Sequence, residues 1–156
     1  MSAMEGCPGS RMQDFRTPAA TAEAATGKVA SQLKQWPVQM HLISPAAPYY
    51  QGADVVLAAD CVAYALGGFH PEYLKGKSIG IACPKLDEGQ EEYVEKIKSW
   101  LDDAKINTLT VMIMQVPCCR GLLSLAEQAA QQAARKVPIK AIVVGVQGEV
   151  LAEEWV

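Results

Sequence analysis

Three stretches of this chain are apolar on both faces of an extended backbone: Asp54-Val-Val-Leu-Ala-Ala, Leu109-Thr-Val-Met-Ile-Met and Ala141-Ile-Val-Val-Gly-Val. A strand with one wet face alternates apolar and polar residues, so runs like these belong inside a parallel sheet covered on both sides. Parallel neighbours need long crossovers, normally helices. The intervening segments meet that need. From Glu88 to Ala104, the residues Tyr93, Val94, Ile97, Trp100, Leu101 and Ala104 recur at three- and four-residue steps, with Asp87 as N-cap and Glu91-Glu92 in the first turns. From about Cys119 to Lys136, Leu122, Leu125, Ala126, Ala129 and Ala133 share one face, with Arg135-Lys136 at the end.

Two further strands complete the pattern. Ser78-Ile-Gly-Ile-Ala is entered through the turn Lys75-Gly76-Lys77. The first strand of the domain is expected at Val38–Ile43, where Val38, Met40 and Leu42 alternate with Gln39, His41 and Ile43 before Ser44-Pro45. The Pro-rich link over residues 44–53 has room for a single helical turn. The expectation is one α/β domain over residues 36–156, Rossmann-like or flavodoxin-like, with a mostly parallel five-stranded sheet flanked by helices. Residues 1–35 read as a flexible tail or linker. Gly6, Pro8, Gly9 and Ser10 are turn formers, and residues 17–27 carry no large apolar side chain to offset the entropy of ordering. Phe15 is a local anchor there.

The net charge is −3 with no basic cluster, which argues against nucleic acid. No apolar run approaches the ~18 residues of a membrane span. The start lacks a hydrophobic block behind basic residues, so no signal peptide is expected and the protein reads as cytoplasmic. The five cysteines, Cys7, Cys61, Cys83, Cys118 and Cys119, are odd in number and unevenly spaced. That suits a reducing compartment better than a disulfide scaffold.

Laid on the strand pattern, four of these thiols fall at one place. Asp60-Cys61 follows the second expected strand, Cys83-Pro84 the third, and Pro117-Cys118-Cys119 the fourth. In a parallel sheet these are neighbouring carboxyl ends, the edge where open α/β proteins bind ligands. Adjacent strands are only about 4.8 Å apart, so such thiols come within coordinating reach. Cys118 and Cys119 also open a helix, where unpaired N–H groups favour the thiolate. Cys61, Cys83, Cys118 and Cys119 are therefore the candidate metal ligands, with His70 of the Gly67-Gly68-Phe69-His70-Pro71 loop as an extra one. Lys85 and Arg120 are adjacent cations able to offset clustered sulfur charge at a cofactor.

Plainer roles stand beside these. A single cysteine at a strand end is commonly a packing residue, and a loop histidine is commonly just hydrogen-bonded. His41 reads as structural, Asp60 as a helix cap, and Tyr49 and Tyr50 as cover for a core edge. No pair has zinc-finger or ferredoxin spacing. Vicinal side chains diverge, so Cys118 and Cys119 are not both expected to face the site. Gly67-Gly68 lacks the spacing of a phosphate fingerprint, and no Ser/Thr-rich loop follows the first strand to hold FMN.

Several of these runs together resemble a known family. Gln35-Trp36-Pro37-Val38-Gln39-Met40-His41-Leu42, Ala58-Ala59-Asp60-Cys61-Val62-Ala63, Phe69-His70, Cys83-Pro84-Lys85-Leu86-Asp87 and Val116-Pro117-Cys118-Cys119 are similar to the domain that follows a short 4Fe–4S ferredoxin module in anaerobe-type iron–sulfur proteins. The likeness covers roughly residues 30–156, and Gly6-Cys7-Pro8-Gly9-Ser10-Arg11 looks like the linker after that module. The resemblance implies iron–sulfur binding and electron transfer with a redox protein partner. The C-x₂-C-x₂-C run of the ferredoxin module is absent from this sequence, so only the four matching cysteines carry over.

Three functions are thus expected in order. The first is a metal- or iron–sulfur-binding redox module, with zinc as the alternative metal. The second is a metal-free thiol enzyme or redox sensor. The third is a non-catalytic interaction domain for a redox partner.

Overall fold

The computed structural model describes residues 12–16 and 27–156. In chain order the elements are β1 (Gln13–Asp14), β2 (Gln35–Trp36), β3 (Asp54–Ala59), α1 (Val62–Ala65), β4 (Ser78–Ala82), α2 (Glu91–Asp102), β5 (Thr108–Met114), α3 (Arg120–Gln132), β6 (Ile139–Val144) and β7 (Val150–Trp155). Short 3₁₀ turns cover Pro48–Tyr50 and Pro117–Cys119, and a π-helical turn covers Phe69–Leu74.

β3, β4, β5 and β6 pair in parallel, and β7 closes the far edge antiparallel to β6, giving the order β4-β3-β5-β6-β7. The runs that are apolar on both faces take the inner positions. Val55, Val56, Leu57, Ala58 and Ala59 of β3 are all buried, as are Leu109 through Met114 of β5. Leu57 stands opposite Gly80 on one side and Val111 on the other. At Gly80 a Cβ would lie 2.7 Å from the Met40 sulfur and 2.8 Å from the Trp100 ring, so only glycine lets α2 come this close.

α2 and α3 pack side by side on one face. α2 buries Tyr93, Val94, Ile97, Trp100 and Leu101, the stripe read from the sequence. Ile79 and Ile81 point to the opposite face, which the β3–β4 connection covers. The helix starts later than expected. Gln90 is the N-cap, and Asp87 spends its carboxylate elsewhere. α3 likewise begins at Arg120, behind the 3₁₀ turn, and stops at Gln132.

The main sheet has five strands, but not the five expected. Val38–Ile43 is no strand. It makes one parallel bridge, Gln39 to Ile81, and then turns, with the N–H groups of Leu42 and Ile43 both donating to the Gln39 carbonyl. Lys96 holds the turn by donating to the carbonyls of Met40 and Ile43 at 2.6 and 3.0 Å. The fifth strand is β7, unremarked in the sequence because most of its residues are exposed.

The segment read as a tail has described parts that touch the domain. β1 pairs with β2 through Gln13–Trp36 and Asp14–Gln35. Phe15, taken as an anchor, has a largely exposed side chain, and its N–H donates to Lys34. Gln35, 1% exposed, acts as a false strand on the β4 edge. Its amide accepts from Ile79 N–H at 2.8 Å and donates to Ile79 C=O at 2.9 Å. A side chain thus completes an edge ladder that would otherwise end in orphaned buried peptide groups. Residues 1–11 and 17–26, Cys7 among them, lie outside the described residues.

Candidate functional site

The strand order decides where the site lies. The chain runs from β3 to β4 on one side and then crosses back to β5 on the other side of β3. The carboxyl ends of β3 and β5 therefore flank a topological switch point, where crossovers leave in opposite directions and open a crevice. Cys61 follows β3 as the N-cap of α1, and the Pro117–Cys119 turn follows β5. Cys83 follows β4, on the other side of β3. All three loops stand at one sheet edge, as the run of strands implied.

A direct contact joins two of these loops. A Cβ placed on Gly121, in the first turn of α3, would lie 3.2 Å from Pro84. The Cys83-Pro84 loop thus rests against the helix that Cys118 and Cys119 introduce. The thiols differ in environment. Cys61 is exposed, Cys83 half-buried and Cys119 buried.

Cys83 is held by Asp87. The Cys83 N–H donates to the Asp87 carboxylate at 2.9 Å, and the Cys83 carbonyl accepts from Leu86 and Asp87 N–H. The same carboxylate accepts a short hydrogen bond from the Tyr93 hydroxyl. The Tyr93 pKa is raised, first by burial, then by that bond and by the charges of Asp87, Asp60 and Cys83. Asp60, Asp87, Tyr93 and Cys83 therefore sit close enough to feel one another. His41 closes this corner as the structural residue expected, stacking on Tyr93 at 4.5 Å and bonding the Glu88 carbonyl through Nε2 at 2.6 Å.

Asp60 is not a helix cap. Its Oδ1 lies 3.5 Å from the Gln39 amide, and α1 has no side-chain cap. Its pKa is raised by burial first and then by Asp87, against the Gln39 bond. A carboxyl raised in the fold contributes fully while protonated and costs stability once pH climbs through its folded value. Asp60→Asn is therefore expected to raise the thermal midpoint at neutral pH and to leave it unchanged near pH 3, as melting curves at both conditions would measure.

His70 takes the plainer of its two expected roles, that of a hydrogen-bonded residue. The Gln32 N–H donates to His70 Nδ1 at 3.0 Å, so the neutral ring carries its proton on Nε2. A metal at Nε2 would then require loss of the last ring proton, which takes His70 out of the donor set. Lys85 and Arg120 are exposed. Arg120 lines a cavity of about 440 Å³ with Leu123, Ser124 and Glu127 of α3, extending toward β6 and β7. Tyr49 and Tyr50 are fully buried in the core.

The donor chemistry fits a soft metal, since thiols gather at three neighbouring strand ends. The described donors alone do not close a centre, because no three His, Cys, Asp or Glu side chains among the described residues are grouped to hold an ion. Sequence reasoning missed Asp87, Tyr93 and Gln39. The one signal in the sequence is the Leu86-Asp87 step beside Cys83, which by itself reads as a helix cap.

A mostly parallel five-stranded sheet flanked by helices defines an α/β protein of the Rossmann-like class. Residues 47–156 match the family described as Rossmann-like domain, and the chain belongs to that family. It is also similar to an uncharacterized protein of Archaeoglobus fulgidus, 31% identical over 121 residues, covering 76% of this chain and 83% of the relative. No solved structure matches. No helix among the described residues is long and apolar enough to cross a membrane.

Proposed function

We propose that this chain is an electron-transfer module whose carboxyl sheet edge holds a soft metal, an iron–sulfur cluster first and zinc as the alternative. The ligands in this reading are Cys61, Cys83 and one or both of Cys118 and Cys119. The observation that carries it is the placement of Cys61 and the Pro117–Cys119 turn on either side of the switch point, with Cys83 one strand away. Thiolates suit these metals. The resemblance to domains that follow ferredoxin modules favours the cluster over zinc, because such a domain would exchange electrons with a redox protein. Exposed Tyr64, on the α1 turn behind Cys61, and Leu86, on the loop that carries Cys83, offer apolar area for that partner. Lys85 and Arg120 would offset the charge of clustered thiolates.

Anaerobic purification followed by iron and zinc analysis and a visible spectrum tests this directly. Charge-transfer absorption above roughly 350 nm with iron bound is the expected result. A colourless protein with zinc in proportion to chain would retain the site and remove the electron-transfer role. A colourless protein without metal would end the reading.

One observation favours a second reading, a metal-free thiol couple. Cys61 is exposed beside the crevice and sits at the edge that Cys119 also borders. It predicts rapid alkylation of a native thiol near neutral pH. Thiols that react only after unfolding would exclude it.

A further inference from the structure

A second concavity lies on the sheet face away from α2. It encloses about 240 Å³ and is walled by Trp36, Phe69, Ile79 and Ile81, with Asp60 and His70 among its lining residues. The segment leading into β2 folds over it, and the Gln32–His70 bond ties that segment to the π-helical turn. We propose that this cavity binds an uncharged one- or two-ring aromatic molecule bearing a hydroxyl or lactam-type group, with that group at Asp60 and His70.

Size, wall chemistry and polar capacity each constrain the occupant. A dry cavity of about 150 Å³ accepts benzene, so this one has room for a second ring. The walls are otherwise aliphatic and aromatic, which suits a flat apolar body. The two polar residues have capacity to spare. His70 uses Nδ1 on Gln32, which leaves Nε2–H as the donor it offers, and no described residue accepts from it. Among the described residues Asp60 is engaged only through Oδ1, at the long distance to Gln39, so Oδ2 is an open acceptor there.

A hydroxyl or lactam both accepts and donates, matching that donor and that acceptor together. A carboxylate would face Asp60 unfavourably. An ammonium could pair with Asp60 but has no acceptor to offer the Nε2–H and would lose hydration against apolar walls. The inference does not depend on metal at the thiol edge, because Cys61, Cys83 and Cys119 are not among the wall residues named for it.

The test uses the full chain and 2-naphthol, titrated against the methyl resonances of Ile79, Ile81, Leu33 and Leu74, with 2-naphthoate as the charged comparison. Saturable shifts confined to those methyls are expected for 2-naphthol, with 2-naphthoate weaker by on the order of tenfold, the equivalent of one adverse polar contact. Asp60→Asn should narrow that gap, a charge effect that simple filling of a hole would not produce. Ala63→Trp adds bulk at an exposed wall position and should abolish the shifts, with Cys61→Ser and Cys83→Ser leaving them intact. No saturation, persistence of the shifts in Ala63→Trp, or an unchanged naphthol-to-naphthoate ratio in Asp60→Asn would overturn the assignment. So would contacts from residues 17–26 to these methyls in the ligand-free chain, since the chain itself would then occupy the site.

Discussion

Gln35→Leu is expected to destabilise the protein by about 3–5 kcal/mol, the sum of two or more buried polar groups left without partners at ~1–3 kcal/mol each. Leucine fills nearly the same volume, so packing is not the cause. The glutamine amide serves the Ile79 N–H and C=O, and it also bonds the Tyr50 hydroxyl at 2.9 Å and the Pro37 carbonyl at 3.3 Å. Tyr50 in turn donates to the Ile79 carbonyl at 2.8 Å, so that oxygen keeps one partner while the Ile79 N–H keeps none. Burial raises the Tyr50 pKa, and the Gln35 bond only partly opposes it, so the hydroxyl stays a donor across the working range. Tyr50→Phe should therefore cost less, near 1 kcal/mol. Urea unfolding measures both: a lower midpoint with an unchanged slope is expected. A Gln35→Leu midpoint equal to the parent would mean that the β4 edge finds its partners elsewhere.

The second large effect concerns metal retention. If the carboxyl edge holds a metal through its thiols, Cys83→Ser should lower bound iron or zinc by at least the roughly 10–100-fold that follows loss of even an outer-shell partner. Cys83 is the best supported of the set, because Asp87 anchors its N–H and Pro84 rests on the first turn of α3. The thiol is half-buried and serine is nearly isosteric, so the fold should survive the change. Asp87→Ala should lower metal content as well, by freeing the Cys83 loop and leaving the Tyr93 hydroxyl without its acceptor. Metal analysis beside circular dichroism separates these results from unfolding. Equal metal content in the parent and in Cys83→Ser would remove Cys83 from the ligand set.

Much of the architecture was legible because burial on both faces leaves a mark that no polar residue interrupts. The runs at β3, β5 and β6, the short β4 and the stripes of α2 and α3 all appear in the residues themselves. Once those strands are parallel, the shared edge of Cys61, Cys83 and Pro117–Cys119 follows from where each run stops. The failures came where a segment's role depends on what lies beside it. Val38–Ile43 alternates like a strand, yet the β4 edge has its upstream peptide groups taken by the Gln35 side chain and admits only one bridge from Gln39. β7 pairs fully with β6 but buries little, so Val150–Trp155 carries no apolar alternation to find.

The candidate site divides in the same way. Residue type and strand ends were enough to bring four thiols to one end of a parallel sheet, since chain direction alone sets which end a loop occupies. That β3 stands between β4 and β5, so that the crevice opens between Cys61 and the Cys118–Cys119 turn, is a matter of strand order. Order depends on which apolar faces pack together across the whole chain, and no local pattern records it. The bond to Gln32 that commits the His70 ring, and the carboxylate of Asp87 that holds Cys83, likewise join residues whose partnership exists only after folding. Composition and periodicity determined an α/β sheet with cysteines following its strand ends; the tertiary structure decided which of those strands are neighbours and which side chains hold the loops there.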